Sequence, residues 1–313
     1  MSPAKVKHLI KANNQLSPLR YPGGKSLISG FISQLFLQNE LRDIHFYELY
    51  AGGAGASINL LLNNCIERLT INDADYSIYV FWHTVINNPE YIIKKIHNVT
   101  LNVNVWNRQN QIISNWENEL PEDVAFATFF LNRTNRSGII KKAGPIGGFD
   151  QSGPYKMDAR FNKKALINRI KRIAEYGSRI TIRNEDALDL INESIDDGQE
   201  NSSKFFFLDP PYYDQGENLY MNFYSEIDHS NLRDKLVQMH NLNWILTYDL
   251  SNTLLSLYEN FQIYRFGLNY SLQKYVKAKE MMIISPNLVM PSNCVVSQEN
   301  FVLITKEIMN ARN

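Results

Sequence analysis

The sequence has little of what several protein classes require. It has two cysteines in 313 residues, Cys65 and Cys294, which argues against a disulfide framework and a structural zinc site. The six histidines show neither HxxxH nor HExxH spacing, so we expect no metal ion. A GxxxxGK[ST] segment is also missing, which disfavours a nucleotide hydrolase that cradles phosphates.

Long apolar runs and a net charge are missing as well. No run approaches the roughly 18 residues of a membrane-spanning helix, and residues 1–15 do not have the apolar core of a signal peptide. We therefore expect a soluble, cytoplasmic protein. Lys and Arg number 32, as do Asp and Glu, so the formal net charge is zero and a polyanionic partner would need a local basic patch.

Such a patch is present in the sequence. Between Arg133 and Arg172, 11 basic residues stand against two acids, Asp150 and Asp158. Glycines and prolines recur between residues 138 and 154, which favours an exposed basic loop or hairpin over one face of a helix. A block of this kind fits either a solvated surface or nucleic-acid binding.

Short β-branched and aromatic runs alternate with helix-period stretches through most of the chain. The runs predict buried strands at 44–49, 69–72, 180–183, 205–208, 244–247, 262–266, 281–285 and 302–304. This alternation favours an α/β sheet with mainly parallel strands. Residues 87–162 break the rhythm, and we interpret them as an insertion that is helical near 106–116 and 124–131 and ends in the basic loop.

The segment Phe205-Phe-Phe-Leu-Asp-Pro-Pro-Tyr212 has the clearest chemical character. Its apolar residues predict a buried strand, and the two prolines end that strand because neither has an N–H for the ladder. Asp209 and the carbonyl of Pro210 would then lie at the carboxyl edge of the sheet, where α/β proteins bind ligands. Two acceptors beside an aromatic ring suit a planar group with an amino donor. The alternative is a plain turn, which Asp-Pro often begins.

A second segment, residues 44–56, predicts a strand, a glycine-rich turn and a helix. This arrangement lets backbone approach a nucleotide-like ligand, although a glycine cluster alone also fits a tight strand–helix turn. Asp73 stands 21 residues after Gly52, at the predicted tip of the next strand. An acid at this spacing can hold the hydroxyls of a ribose.

Together these segments resemble the D12 class of adenine-specific DNA methyltransferases, the Dam-like group. The resemblance rests on Tyr21-Pro-Gly-Gly-Lys25, Glu48-Leu-Tyr-Ala-Gly-Gly-Ala-Gly55, Asn72-Asp73 and Asp209-Pro-Pro-Tyr212, in the family's order. It continues through Asn132-Arg-Thr-Asn-Arg-Ser-Gly138, through 244–249 and through 269–279, and so covers most of the chain.

The resemblance implies a Rossmann-like S-adenosylmethionine-dependent methyltransferase sheet from residues 1–86 and 163–313, with a largely helical target-recognition region inserted at 87–162. The implied cofactor contacts are Tyr21, Lys25, Glu48, Ala51, Gly52, Asp73, Asp186 and Asp209. The implied DNA contacts are Asn132, Arg133, Arg136, Ser137, Lys141, Lys142 and Lys156. The implied catalytic residues are Asp209, Pro210 and Tyr212, with no metal ion.

The implied reaction moves a methyl group from S-adenosylmethionine to N6 of an adenine that has left duplex DNA, and leaves S-adenosylhomocysteine. Asp209 and the Pro210 carbonyl would each accept an amine hydrogen, and Tyr212 would stack on the extruded base. The resemblance also implies a bacterial cell or a phage-infected host, and a monomer is expected. It leaves open whether a restriction endonuclease is a partner, which would make this the modification enzyme of a restriction–modification system.

The chain departs from the family's usual pattern at two places. Leu49-Tyr50 follows Glu48 where the family commonly has Pro-Phe, and Arg136 stands where Dam-like proteins often have an aromatic residue that wedges into the base stack. Alternatives are a methyltransferase acting on cytosine N4, RNA or a protein amide, a catalytically silent DNA-binding homologue, and an unrelated nicotinamide enzyme. Aspartate at 209, together with the separate Asn-Arg segment and its basic loop, favours adenine in duplex DNA.

Overall fold

A computed structural model of the chain describes residues 16–20, 24–196, 203–213, 224–271, 275–291, 295–296, 299–300 and 302–304. Its strands are β1 (His45–Glu48), β2 (Arg68–Asn72), β3 (Ile180–Arg183), β4 (Lys204–Leu208), β5 (Asn243–Asp249), β6 (Ile263–Ser271), β7 (Tyr275–Ile284), β8 (Val295–Val296), β9 (Glu299–Asn300) and β10 (Val302–Ile304). Eight of them form one sheet in the order β10-β6-β7-β5-β4-β1-β2-β3, and β8 pairs with β9.

The sheet is parallel in one half and antiparallel in the other. Strands β1 to β5 pair in parallel, whereas β7 runs antiparallel to β5, β6 to β7, and β10 to β6. The expectation of a mainly parallel α/β sheet is therefore confirmed for five of the eight strands. The chain order reverses between β1 and β4, and such a reversal opens a crevice at the carboxyl ends of the strands.

Ten α-helices lie within the described residues. They are α1 (Ser29–Gln38), α2 (Gly55–Leu62), α3 (Tyr76–Asn87), α4 (Pro89–Asn98), α5 (Val103–Ser114), α6 (Pro121–Thr134), α7 (Lys163–Ala174), α8 (Ala187–Asp196), α9 (Glu226–Gln238) and α10 (Asn252–Leu257). None of these helices is long and apolar enough to cross a membrane.

The aromatic strand β4 explains why both faces of the sheet are covered. Phe205 and Phe207 point into one hydrophobic cluster, and Phe206 and Leu208 point into another, because successive side chains of a strand face opposite ways. Helices α1 to α7 contribute to the first cluster, and α8, α9 and α10 contribute to the second.

The predicted insertion does not form a core of its own. Helices α5 and α6 pack on each other, α6 packs on α3, and α4 packs on α7. Trp106 and Phe129 from this region belong to the same hydrophobic cluster as Phe46 of β1. The division at residues 87–162 as a separate recognition region stays a prediction.

Candidate active site

The acidic residues that the sequence singled out follow the carboxyl ends of adjacent strands. Glu48 ends β1, Asp73 follows β2, Asp186 follows β3 and Asp209 follows β4. Because these four strands are parallel and adjacent, the fold gathers the four acids along one edge of the sheet.

Asp209 is held by a buried lysine. The ammonium of Lys25 lies 2.9 Å from each carboxylate oxygen of Asp209. The same ammonium lies 3.4 Å from a carboxylate oxygen of Glu280 on β7. Lys25 and Glu280 have side chains 1% exposed, whereas that of Asp209 is 21% exposed. Asp209 is thus the member of this trio that a ligand can reach.

Tyr212 completes the cluster around Lys25. The lysine donates to the Tyr212 hydroxyl at 2.9 Å, and that hydroxyl donates to Glu280 at 2.9 Å. The ammonium also lies 5.1 Å from the centre of the ring. These contacts fix the position of the tyrosine, which is half-buried beside Asp209.

Pro210 and Pro211 end β4 as predicted and are both buried. Among the described residues, no donor bonds to the carbonyl of Pro210. The next residue, Tyr213, is anchored at both ends: its N–H donates to Asp249 at 3.1 Å and its hydroxyl donates to Glu226 at 2.7 Å. The Asp-Pro-Pro-Tyr turn is therefore braced from β5 and from α9.

The glycine-rich turn between β1 and α2 is tied to Asp73. Gly52 has φ 45°, a left-handed conformation that glycine adopts without strain, and its N–H donates to Asp73 at 2.8 Å. The other oxygen of Asp73 accepts from the N–H of Asp75 at 2.9 Å. Ala51 is buried, and its N–H donates to the carbonyl of Asn72 at 3.0 Å. The turn and the tip of β2 therefore form one unit.

The two acids nearest this turn have raised pKa values. Desolvation and, to a smaller extent, the charge of Asp75 together raise the pKa of Asp73 to about 7. Desolvation raises the pKa of Glu48 to about 8, in spite of the hydrogen bonds from the N–H and hydroxyl of Ser57. Glu48 is buried beneath the turn, whereas Asp73 is half-buried beside it.

The tips of β2 and β3 are also joined. The amide of Asn72 donates to the carbonyls of Leu49 and Glu185, both at 3.0 Å, and accepts from the N–H of Glu185 at 3.0 Å. Asp186 is exposed, and its carboxylate accepts from the N–H of Leu188 at 2.8 Å, in the first turn of α8. The predicted cofactor residue Tyr21 lies outside the described residues.

The predicted DNA-contacting residues divide into a buried set and an exposed set. Asn132 is fully buried: its amide oxygen accepts from the N–H of Arg20 at 2.7 Å, and its amide nitrogen donates to the carbonyls of Arg20 at 2.6 Å and Gly138 at 2.9 Å. Arg133 is buried too, and its Nε donates to the carbonyl of Arg160 at 2.8 Å. Asn132 thus holds the loop in place rather than lying on its surface.

The exposed set lies on the loop that follows α6. Arg136, Lys142 and Lys156 are exposed, and Ser137 and Lys141 are half-buried. The carbonyl of Gly144 accepts from the N–H of Arg136 at 3.1 Å, and Gln151 spans the loop by donating to the carbonyls of Ile146 at 2.9 Å and Gly148 at 2.6 Å. The basic segment is thus an exposed loop stapled by internal hydrogen bonds, continued by the helix α7.

Comparison with known proteins identifies the family. The family of D12 class N6 adenine-specific DNA methyltransferases matches residues 21–272. This chain belongs to that family. The resemblance of the sequence motifs is therefore confirmed, as is the Rossmann-like methyltransferase fold. No curated protein sequence matches the chain.

Solved structures include a similar chain of low identity. The structure described as "rRNA methyltransferase aviRa from Streptomyces viridochromogenes" is 10% identical, with a TM-score of 0.36 over 91% of this chain and 98% of that one. The methyltransferase fold follows from the strand order and from the family of the chain.

Three features of this adenine-specific DNA methyltransferase are not evident from its sequence alone. Thr247 donates to Asp209 at 2.6 Å from β5, and Glu280 pairs with Lys25 from β7. Thr247 lies in a segment that carried the family resemblance, whereas Glu280 had no local signal. The third feature is a pair of exposed aromatic residues on the basic loop, Phe149 and Tyr155, which are 62% and 72% exposed.

Proposed function

We propose that the protein transfers a methyl group from S-adenosylmethionine to N6 of an adenine swung out of duplex DNA. The observation that carries this proposal is the partly exposed carboxylate of Asp209, held by Lys25 and Thr247 beside the carbonyl of Pro210. An exocyclic amine has two hydrogens, and this turn offers two acceptors for them.

The two acceptors would act on the reactivity of the amine. The lone pair of the adenine amine is delocalised into the ring, so the free base is a poor nucleophile. If Asp209 and Pro210 each accept one N–H, the nitrogen moves towards tetrahedral geometry and its lone pair becomes available for attack. Lys25 and Thr247 hold the carboxylate in position before the base arrives, so that little reorganisation is needed.

Tyr212 would bind the extruded base through its ring. A base inside the duplex is out of reach, and enzymes that act on one take it out of the stack. The hydroxyl of Tyr212 is fixed by Lys25 and Glu280, so the ring is positioned before the base enters. Stacking on a positioned ring offsets part of the cost of leaving the duplex.

The crevice at the strand ends fits S-adenosylmethionine in its donor and acceptor chemistry. The half-buried carboxylate of Asp73 can accept hydroxyl hydrogens of a ribose, and the turn at Gly52 allows backbone to approach the ligand. Asp186 at the tip of β3 can accept from an amino group. When bound, this cofactor supplies a methyl group on a positively charged sulfur, which is the electrophile of the reaction.

The exposed cations of the loop after α6 would bind the DNA. Arg136, Lys142 and Lys156 are exposed around the stapled loop, and they supply local positive charge in a chain of zero net charge. The same activity would serve the modification half of a restriction–modification system, because DNA methylated by the protein would then resist a partner endonuclease.

A methyl-transfer assay followed by mass analysis of the nucleosides tests the proposal. Duplex DNA, single-stranded DNA and RNA would each be incubated with S-adenosylmethionine, and the products digested and identified. We expect N6-methyladenine in duplex DNA and its loss in Asp209→Asn. N4-methylcytosine or methylated RNA would contradict the substrate, and DNA binding without any transfer would indicate a silent homologue.

A further inference from the structure

Four arginines from separate segments of the chain meet beside residues 16–20. Arg133 lies in the last turn of α6, and its Nε donates to the carbonyl of Arg160 at 2.8 Å. Arg169 of α7 donates through Nη1 to the carbonyl of Ser17 at 3.0 Å. Arg20 follows in the same segment as Ser17, and Asn132 holds its backbone. We call Arg20, Arg133, Arg160 and Arg169 the arginine cluster.

The arginine cluster has no compensating negative charge among the described residues. No carboxylate there pairs with any of its four guanidinium groups. Arg133 is 9% exposed, and the buried Nη1 of Arg20 has no hydrogen-bond partner among the described residues. Residues 1–15, which precede this segment, contain lysines but neither Asp nor Glu.

Burial and mutual repulsion act on these groups together. Desolvation and, to a smaller extent, the nearby charges of Arg20, Arg169 and Arg160 together lower the pKa of Arg133 to about 9. Desolvation and the charge of Arg160 lower the pKa of Arg20. With a pKa of about 9, Arg133 is still a cation at neutral pH. The fold therefore keeps positive charge at a place where charge is costly.

A purely structural role explains only part of this arrangement. Arg133 and Arg169 each donate to one backbone carbonyl, which accounts for one nitrogen of each side chain. It does not account for the exposed Arg160 or for the buried Nη1 of Arg20. A guanidinium presents five donors in a planar fork that matches a phosphate.

From this geometry we infer that the arginine cluster is a phosphate-binding site that grips the backbone of the DNA substrate. The inference rests on the proposed function, which supplies duplex DNA as the partner. It adds Arg20, Arg160 and Arg169 to the predicted DNA contacts and gives the buried Arg133 a reason to be charged. The contact positions the duplex and reads no base, because phosphates carry no sequence information.

The position of the arginine cluster fits a grip close to the reacting base. Arg20 precedes Lys25 by five positions, so their Cα atoms are at most about 18 Å apart. This distance corresponds to about five base pairs along the helix axis. The cluster also adjoins the turn at 132–138 that presents Arg136. A phosphate held there would lie within a few nucleotides of the extruded adenine.

Duplex affinity across a salt series tests the inference, with four variants of the full chain. Arg133→Gln and Arg160→Gln remove charge from the cluster. Arg179→Gln is the control, because Arg179 also donates to backbone carbonyls, those of Glu67 and Ile66, but lies at the amino end of β3 and is not part of the cluster. Arg133→Lys keeps the charge and removes the planar fork.

We expect each cluster variant to weaken duplex binding about tenfold at 100 mM salt, a loss in the range of a charge-assisted hydrogen bond. We also expect it to flatten the slope of log affinity against log salt by about 0.9, the value for one phosphate. Arg133→Lys should keep most of the slope, and Arg179→Gln should bind as wild type. A folded Arg160→Gln variant with the wild-type slope and affinity would overturn the inference, even if Arg133→Gln failed to fold.

Inorganic phosphate provides a readout that does not depend on DNA. At matched ionic strength, phosphate should raise the melting temperature of the wild-type protein above its value in chloride, and should not do so for Arg160→Gln. Equal protection of both proteins would count against the site. If wild type fails to bind duplex DNA but phosphate protects it through the cluster, the proposed function fails while the anion site stands. If wild type binds duplex DNA and the cluster variants leave its salt slope unchanged, the anion site fails while the proposed function stands.

Discussion

The catalytic edge and the arginine cluster handle buried charge in opposite ways. At the edge, the buried Lys25 has two carboxylates, Asp209 and Glu280, within 3.4 Å. In the cluster, four guanidinium groups converge, and none pairs with a carboxylate among the described residues. The first arrangement is complete before any substrate binds, whereas the second has no carboxylate partner within the part of the chain that the structure describes.

This difference separates two requirements of the reaction. A carboxylate that must accept a hydrogen from a weak nucleophile works best when it is already in position, so partners within the protein hold it. A grip on DNA works best when the compensating charge belongs to the DNA, because an internal carboxylate would compete with the phosphate. Among the described residues, the protein therefore pairs buried charges with carboxylates in one region and not in the other.

Removal of Lys25 should produce the largest effect. Lys25→Ala leaves Asp209 and the buried Glu280 facing each other, and loss of one partner of a buried pair costs about 3–5 kcal/mol of folding free energy. Urea unfolding would measure it. Lys95→Ala is the control, because its pair with Asp123 is more exposed and its loss should cost about 0–1 kcal/mol. If both variants lost the same small amount of folding free energy, Lys25 would contribute little to balancing the charges of Asp209 and Glu280.

Removal of Asp209 should affect the reaction rather than the fold. In Asp209→Ala, Lys25 and Glu280 still form a neutral pair, so we expect near-normal stability. One acceptor of the amine is lost, and such a contact is typically worth about 10²–10³ in rate. Single-turnover methyl transfer, with the exposed Asp234→Ala as a control, measures the change. Near-normal turnover would refute the catalytic role.

Cofactor affinity should depend on pH through Asp73. Its pKa is raised to about 7, and ribose hydroxyls donate to the deprotonated form, so binding is fully favoured above pH 7. Below pH 7 the carboxyl must lose a proton before it can accept the ribose hydrogens. The affinity for the cofactor should therefore fall by up to about tenfold per pH unit. Titration calorimetry between pH 5.5 and 8.5 checks this prediction. Asp73→Asn should bind weakly and without this pH dependence, and an unchanged profile would remove Asp73 from the ribose site.

The smallest effects should come from the cations on the loop after α6, none of which is fully buried. Replacement of Lys141 and Lys142 by Ala should flatten the salt slope of duplex binding by about two if both touch phosphate. Arg136→Ala should instead reduce discrimination between cognate and scrambled duplexes more than general affinity. Equal losses on both duplexes, with a slope lower by about one, would make Arg136 a phosphate contact.

The sequence predicts the parallel half of the sheet and the acids at its strand ends, because both depend on local patterns. Asp73 and Asp209 each follow a short apolar run, and a run that ends in a turn must expose its last residues. The direction of β6, β7 and β10 could not be predicted, since a strand has the same period either way. Glu280 stayed hidden for a related reason: it meets Tyr212 from 68 positions away.

The arginine cluster shows the same limit more clearly. The positive charge between 133 and 172 is evident in the sequence, but the sequence does not tell which of its members lose solvent. Burial of Arg133 follows from its place in the last turn of α6, which packs on α3 and α5. The involvement of Arg20 follows from a contact with Asn132 across 112 positions. Neither the burial of Arg133 nor the contact of Arg20 with Asn132 produces a periodic pattern in the sequence from which it could be predicted.

The clamp between Asn132 and Arg20 has a consequence for engineering new specificity. The backbone of Arg20 is bonded on both sides by one amide, and a Cβ at Gly138 would lie 2.6 Å from the carbonyl of Arg20. The loop that presents Arg136 and residues 17–20 are therefore fixed relative to each other. A loop transplanted from another enzyme of the family would have to reproduce this contact, so the segments to exchange together are residues 17–20 and 132–160.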